Sequence, residues 1–329
     1  MRLAAVAAAV GLLVGTAQSA AGGPAAHGRI VFGLDLGGLS GDLTSLYSVR
    51  PDGTALRRLT APPTLQALGG DSGPAWSPDG RRIVFERNLP YWGEDRMRLM
   101  TVAARGSAAQ PLTSGPFDAM PTFSPDGRRI AFTRITSSVF EPSASLYTVD
   151  RRGARLAPLL SDGIDLSPAW SPDGKTIAFS RLASASLPVD EATLYLANAD
   201  GTNVRQLGQA PVQGVSPAWS PDGRRLAFVS FGDQNAPPCP AASCPPSGEI
   251  YVVDADGSRL RRLTASRADD EHPTWSPDGR RIAFASGFAL RSQGHPAWLE
   301  VVSALGGRPR RVGHLAGVVD PAWSPAGVR

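Results

Sequence analysis

Short runs of alternating apolar and polar residues, separated by clusters of Gly, Pro, Asp and Ser, fill this chain of 329 residues and predict strands joined by tight turns. The runs recur as a unit. A box reading Pro74-Ala75-Trp76-Ser77-Pro78-Asp79-Gly80 returns in close copies that begin at Pro121, Pro168, Pro217, Pro273 and Pro321. Repetition at intervals of roughly 50 residues marks a repeat architecture and outweighs any local propensity. Ser-Pro-Asp-Gly is turn chemistry: Pro presets φ and Gly takes the positive φ that closes a hairpin.

Each box therefore joins two strands. The first carries Trp76 or its equivalents Phe123, Trp170, Trp219, Trp275 and Trp323, and the second ends in Phe85, Phe132, Phe179, Phe228 or Phe284. A third strand follows, as at Leu46-Tyr47-Ser48-Val49 and Ile250-Tyr251-Val252-Val253, and then a second turn with Gly53 or its equivalents. Leu59, Leu112, Leu159, Leu207, Leu263 and Val312 each lie six residues beyond that Gly, which predicts a fourth strand. Four antiparallel strands per unit make the blade of a β-propeller. Residues 29–60 supply only second, third and fourth strands, and the last first strand, at Pro321 to Ser324, has nothing to pair with downstream. The chain is thus expected to be an all-β, six-bladed propeller over 28–329, closed by its C-terminal strand joining the N-terminal three.

Hydrophobic content of 42% and charged content of 19% are those of a folded globular chain, and 36 Gly with 30 Pro suit a turn-rich one. The net charge of +4 comes from arginines spread over the repeats, without the dense basic run of a nucleic-acid arm. Met1-Arg2, the apolar run Leu3 to Gly15 and the small residues Thr16 to Ala21 read as a signal peptide over 1–21, followed by a short linker over 22–27. The apolar run is too short for a membrane span, so the mature chain is expected to be exported, without a span, and monomeric. In an oxidising compartment Cys239 and Cys244, in an insertion confined to one repeat, are expected to form a disulfide that shapes one loop.

Six W-S-P-D-G-like boxes with their downstream Ile-Ala-Phe, Leu-Tyr-Val and Arg-Leu-Thr segments resemble the WD-like propeller repeats of the TolB family over roughly residues 28 to 329. The resemblance implies an exported propeller that binds partner proteins in the cell envelope. The family's periplasmic member carries an α/β domain ahead of its propeller, for which the short linker here leaves no room. Similar propellers precede the hydrolase domain of prolyl oligopeptidase-type enzymes, but no G-x-S-x-G elbow occurs in this sequence.

A propeller blade has two ends. The hairpin turns lie on one, uniform end, where arginines such as Arg81 and Arg82 flank the boxes. Second-to-third loops and interblade connections lie on the other, where copies diverge and binding is expected. Candidates on that loop face are Tyr91 and Trp92, Phe140, and the Asp that recurs three residues before the box Pro, at Asp71, Asp118, Asp165 and Asp270. Those carboxylates either form an acidic ring for a cation or basic segment, or cap their own turns. His272, His295 and His314 fall in one sector with Asp269, Glu271 and Asp320, a set with the chemistry to hold a divalent metal, although its spacing matches no metal signature. Gly70-Asp71-Ser72-Gly73 resembles a serine-peptidase motif, yet no repeat supplies a base for Ser72. The expected function is a non-enzymatic scaffold that binds a protein or cell-envelope component, with no catalytic residue assigned. The alternative is a metal-assisted polysaccharide lyase or hydrolase at the channel mouth near the sixth blade.

Overall fold

In the computed structural model, each Ser-Pro-Asp-Gly turn is locked by its own side chains. Ser77 Oγ donates to Asp79 Oδ1 (2.6 Å), Asp79 Oδ1 also accepts from Arg81 N–H (3.0 Å), and Arg82 N–H donates back to Ser77 Oγ (2.9 Å). The Ser–Asp bond recurs at Ser124, Ser171, Ser220 and Ser276. The structure describes residues 28–35, 44–61, 70–91, 94–137, 142–184, 191–209, 212–232, 247–266, 268–287 and 297–328.

Twenty-four strands among these residues, numbered β1 to β24 in chain order, form six four-stranded antiparallel sheets. Blade 1 is β24 (Val318–Trp323), β1 (Ile30–Asp35), β2 (Thr44–Val49) and β3 (Arg57–Arg58), so the C-terminal strand closes the ring as expected. Ile30 pairs with Trp323, and Arg29 N–H donates to Ser324 Oγ (2.8 Å). Blade 2 is β4 (Asp71–Trp76), β5 (Arg82–Tyr91), β6 (Glu94–Ala103) and β7 (Gln110–Pro111). The first strands of blades 3 to 6 are β8 (Asp118–Phe123), β12 (Ile164–Trp170), β16 (Val215–Trp219) and β20 (Asp270–Trp275). Fourth strands are short except β23 (Arg310–Ala316) in blade 6. In blade 3 the fourth strand β11 (Ala157–Leu160) contains the expected Leu159, half-buried, and Leu160 beside it is buried.

The second-strand phenylalanines are the largest fully buried side chains and fill the space between blades. The box Trp pins one blade to the one before it: Nε1 of Trp76, Trp219 and Trp275 donates to the carbonyl oxygens of Ala322, Ala169 and Ala218. Several turn-face arginines stack on such rings, Arg129 over Trp170 and Arg225 over Trp275, each at 4.8 Å. No helix among the described residues is long and apolar enough to cross a membrane.

The outer hairpins interlock as well. Gly201 has φ +86°, and a Cβ there would lie 2.2 Å from the carbonyl oxygen of Leu159 in the preceding blade. Gly201→Ala is expected to cost more than about 2 kcal/mol, from the left-handed backbone and the clash together. Gly306→Ala, at φ +87° but with its nearest neighbour 3.9 Å away, carries only the backbone cost. Urea unfolding of both variants tests this, and equal losses would show that the interblade contact is immaterial.

Candidate functional site

The channel is built by one irregularity repeated six times. In every first strand the pairing register breaks just before the box Pro, between Ser72 and Ala75 in β4 and at the same place in the other blades. The residue before that Pro is left-handed in all six: Gly73 (φ 54°), Met120 (55°), Ser167 (53°), Ser216 (53°), His272 (53°) and Asp320 (48°). Five non-glycyl residues in a conformation that costs roughly 1 kcal/mol each are held there by the sheet, and the bulge re-aims their side chains. They line a cavity of about 400 Å³ with the adjoining prolines, Trp170 and Trp219.

Three blades bring ionisable groups together in this cavity. His272 Nδ1 in blade 6 lies 3.1 Å from Asp320 Oδ1 in blade 1 and 3.7 Å from Glu271 Oε2, close enough for charge attraction but not aligned for a hydrogen bond. Asp320 Oδ2 accepts from Gly73 N–H (3.0 Å). Glu86, on β5 of blade 2, accepts from Met120 N–H (2.5 Å) and Ser72 Oγ (3.2 Å). Burial, with a smaller push from Asp320, raises the Glu86 carboxyl to about 7. For His272 burial works downward, but Asp320, Glu271 and Glu86 outweigh it and hold the imidazole above its ordinary value. His272 is 37% exposed, yet the water it meets is that of a narrow channel walled by protein. Glu86 thus stands near its titration point at neutral pH, and the group can accept a cation or a hydrogen-bond donor from a ligand.

Glu86 was not legible as a site residue. Its position follows the second-strand Phe, and the equivalents are Gly33, Thr133, Ser180, Val229 and Ala285. Thr133 Oγ1 accepts the N–H of Ser167, as Glu86 accepts that of Met120. A carboxylate where sibling blades hold small or neutral groups was the available signal.

The recurring aspartates do something else. Asp71, Asp118 and Asp165 sit at or beside the starts of β4, β8 and β12, buried, and each carboxylate takes a two-pronged bond from an arginine across the hairpin: Arg87, Arg134 and Arg181. Neither an open acidic ring nor a turn cap describes these three. Asp270 in blade 6 is the exception, because Ser286 replaces the arginine. Ser286 Oγ donates to it (2.6 Å), and burial raises its carboxyl to about 7.

His314 is exposed on β23, the fourth strand of blade 6, while His272 is on β20, the first strand. Two strands intervene, about 14 Å of sheet at the usual strand spacing. Among the described residues no three His, Cys, Asp or Glu side chains gather as a metal site, so the expected histidine cluster does not assemble from His272 and His314. Tyr91 ends β5, whereas Trp92, Phe140, Cys239, Cys244 and His295 lie outside the described residues, as do the expected signal peptide and linker.

No family model matches the chain. The Tol-Pal system protein TolB of Alcanivorax borkumensis is 34% identical over 80 residues, 24% of this chain and 18% of that protein. The crystal structure of TolB from Acinetobacter baumannii superposes with a TM-score of 0.66 at 22% identity, covering 91% of this chain and 67% of that one. The chain is a TolB-like six-bladed β-propeller. An oligogalacturonate lyase in complex with manganese also superposes, with a TM-score of 0.52 at 16% identity, covering 80% of this chain and 73% of that one. A likeness this distant carries the fold alone, and the TolB-like propeller must be read from its own channel.

Proposed function

We propose that the protein is an exported, non-enzymatic binding propeller that takes a segment of a protein partner in the cell envelope through its loop face into the channel. The carrying observation is the Glu86–His272–Asp320 group in a channel whose walls include the box prolines, Met120, Trp170 and Trp219 beside Ser167 and Ser216. An extended peptide fits such walls, and an Arg or Lys side chain or an amino terminus fits the carboxylates. Export rests on the signal peptide read from residues 1–21 and agrees with the Tol-Pal system named for the Alcanivorax relative.

A photo-reactive phenylalanine analogue at Met120 tests the reading. A discrete protein adduct is expected in intact cells, and its yield should fall at least about tenfold when Glu86→Gln and Asp320→Asn remove the charges, the size of loss expected for a desolvated ion pair. No adduct, or one whose yield ignores both substitutions, would exclude the channel as the binding site.

A further inference from the structure

The uniform turn face carries an apolar pattern that the channel does not explain. Six large apolar side chains are exposed among the described residues; Met120 faces the channel, and the other five are Leu56 (41%), Leu156 (46%), Val204 (38%), Leu260 (54%) and Leu305 (78%). All five lie in the hairpin between third and fourth strands, in blades 1, 3, 4, 5 and 6. Four follow a left-handed residue, Ala55 (φ 55°), Arg155 (56°), Asn203 (54°) or Arg259 (52°), so the backbone fixes their direction. Interlocking of the outer hairpins at glycines such as Gly153 and Gly201 holds neighbouring tips together at the rim of one face. An arginine is next to four of the tips: Arg57, Arg155, Arg205 and Arg261.

The charge is just as uneven. Residues 50–58, 77–82, 103–111, 124–129, 150–157, 171–176, 198–206, 220–225, 254–262, 276–281 and 303–311 make up the internal turn-face hairpins with their flanks. They hold 23 of the 33 Lys and Arg but only 10 of the 29 Asp and Glu. The rest of the chain is therefore net acidic.

We infer that the turn face docks on a bilayer surface containing anionic phospholipid. Aliphatic tips beside guanidinium groups match the boundary between acyl chains and headgroup phosphates, where each part finds its own medium. A soluble polyanion would satisfy the arginines and leave the leucines in water. A protein partner would call for an apolar centre inside a polar rim, and here the apolar groups are at the rim. Docking this way leaves the loop face pointing away from the membrane, and it holds whatever the channel binds.

The test is co-sedimentation of the exported, signal-free protein with vesicles of phosphatidylglycerol and phosphatidylcholine in equal parts, against vesicles of phosphatidylcholine alone. Binding is expected to the first and to be at least about tenfold weaker to the second. The triple variant Leu56→Ser, Leu260→Ser, Leu305→Ser keeps the charge, and its affinity for the anionic vesicles should drop about tenfold or more. Equal binding to both vesicle types, or an unaffected triple variant, overturns the proposal, the latter because attraction would then be charge alone. Should the triple variant fold poorly, a polarity-sensitive dye answers the same question. With Cys239 and Cys244 replaced by Ser, dye at Leu305→Cys is expected to shift to the blue with anionic vesicles, and dye at the exposed Ser143→Cys toward the loop end is not. Equal shifts, or none, count against docking by this face.

Discussion

Arg134→Ala is expected to destabilise the propeller by about 3–5 kcal/mol, because it strands a buried carboxylate without a counter-charge. Asp118 is fully buried, and the guanidinium meets it with Nε at 2.6 Å and Nη2 at 2.9 Å. The same group lies 5.0 Å over the ring of Tyr147 and 5.6 Å over that of Phe132, so truncation also opens a gap between two aromatic walls. The three pairs should rank by how much water reaches the arginine. Its side chain is 12% exposed at Arg134, 19% at Arg181 and 27% at Arg87, so the loss should decrease in that order. Removing both partners, with Asp118→Leu added to Arg134→Leu, should recover most of the stability, since a buried ion pair and an apolar pair of similar volume are often close in energy. Urea unfolding followed by tryptophan fluorescence gives the numbers. A loss under about 1 kcal/mol for Arg134→Ala would mean that water reaches Asp118 in the folded state and the pair behaves as an exposed one.

The architecture was legible because each blade repeats its own local chemistry. Ser77, Pro78, Asp79 and Gly80 fix a turn within six residues of chain, and the same turn recurs, so strand order and ring closure followed from counting. The Asp–Arg pairs were harder. Asp71 and Arg87, Asp118 and Arg134, and Asp165 and Arg181 share a separation of 16 residues, but that offset acquires meaning only once the bulge in the first strand sets the register. The bulge also hid the channel. Without it, alternation assigns the residue before the box Pro to a sheet face, and nothing in Met120, Ser167, Ser216, His272 and Asp320 as residue types announces a common left-handed backbone. Glu86 is hidden for a related reason: it reaches the next blade's Met120 N–H, a contact between chain segments 34 residues apart. The rim leucines escaped notice because each is unremarkable alone, and their exposure is a property of the closed ring.

Stability is expected to fall as pH rises from about 5 to about 8, the opposite of a protein held by ordinary paired carboxylates. Glu86 has a folded-state value of about 7 against an ordinary 4.5, and Asp270 about 7 against 3.8. Between the ordinary and the folded value the folded protein keeps a proton that the unfolded chain has released. Each group's stabilising contribution is thus full below its ordinary value and is lost as pH climbs through about 7. Between pH 5 and a folded value of about 7 lie roughly two units of displacement, so each could account for up to about 3 kcal/mol in that range at roughly 1.4 kcal/mol per unit. His272, also raised, acts in the same direction: its contribution is present below its ordinary 6.5 and is lost on going above its folded value. The exposed turn aspartates, such as Asp79, are lowered, so what they contribute disappears only in acid, below this window. Glu86→Gln keeps an acceptor for Met120 N–H, and Asp270→Asn keeps one for Ser286 Oγ, while neither can ionise. The double variant should therefore lose most of the wild type's fall in melting temperature from pH 5 to 8, keeping only the shallower slope that His272 contributes, and at pH 8 it should melt several degrees above the wild type. Melting curves of both proteins across that range decide the point, and a wild type whose stability rises with pH would show that Glu86 and Asp270 are ionised in the folded channel and blade.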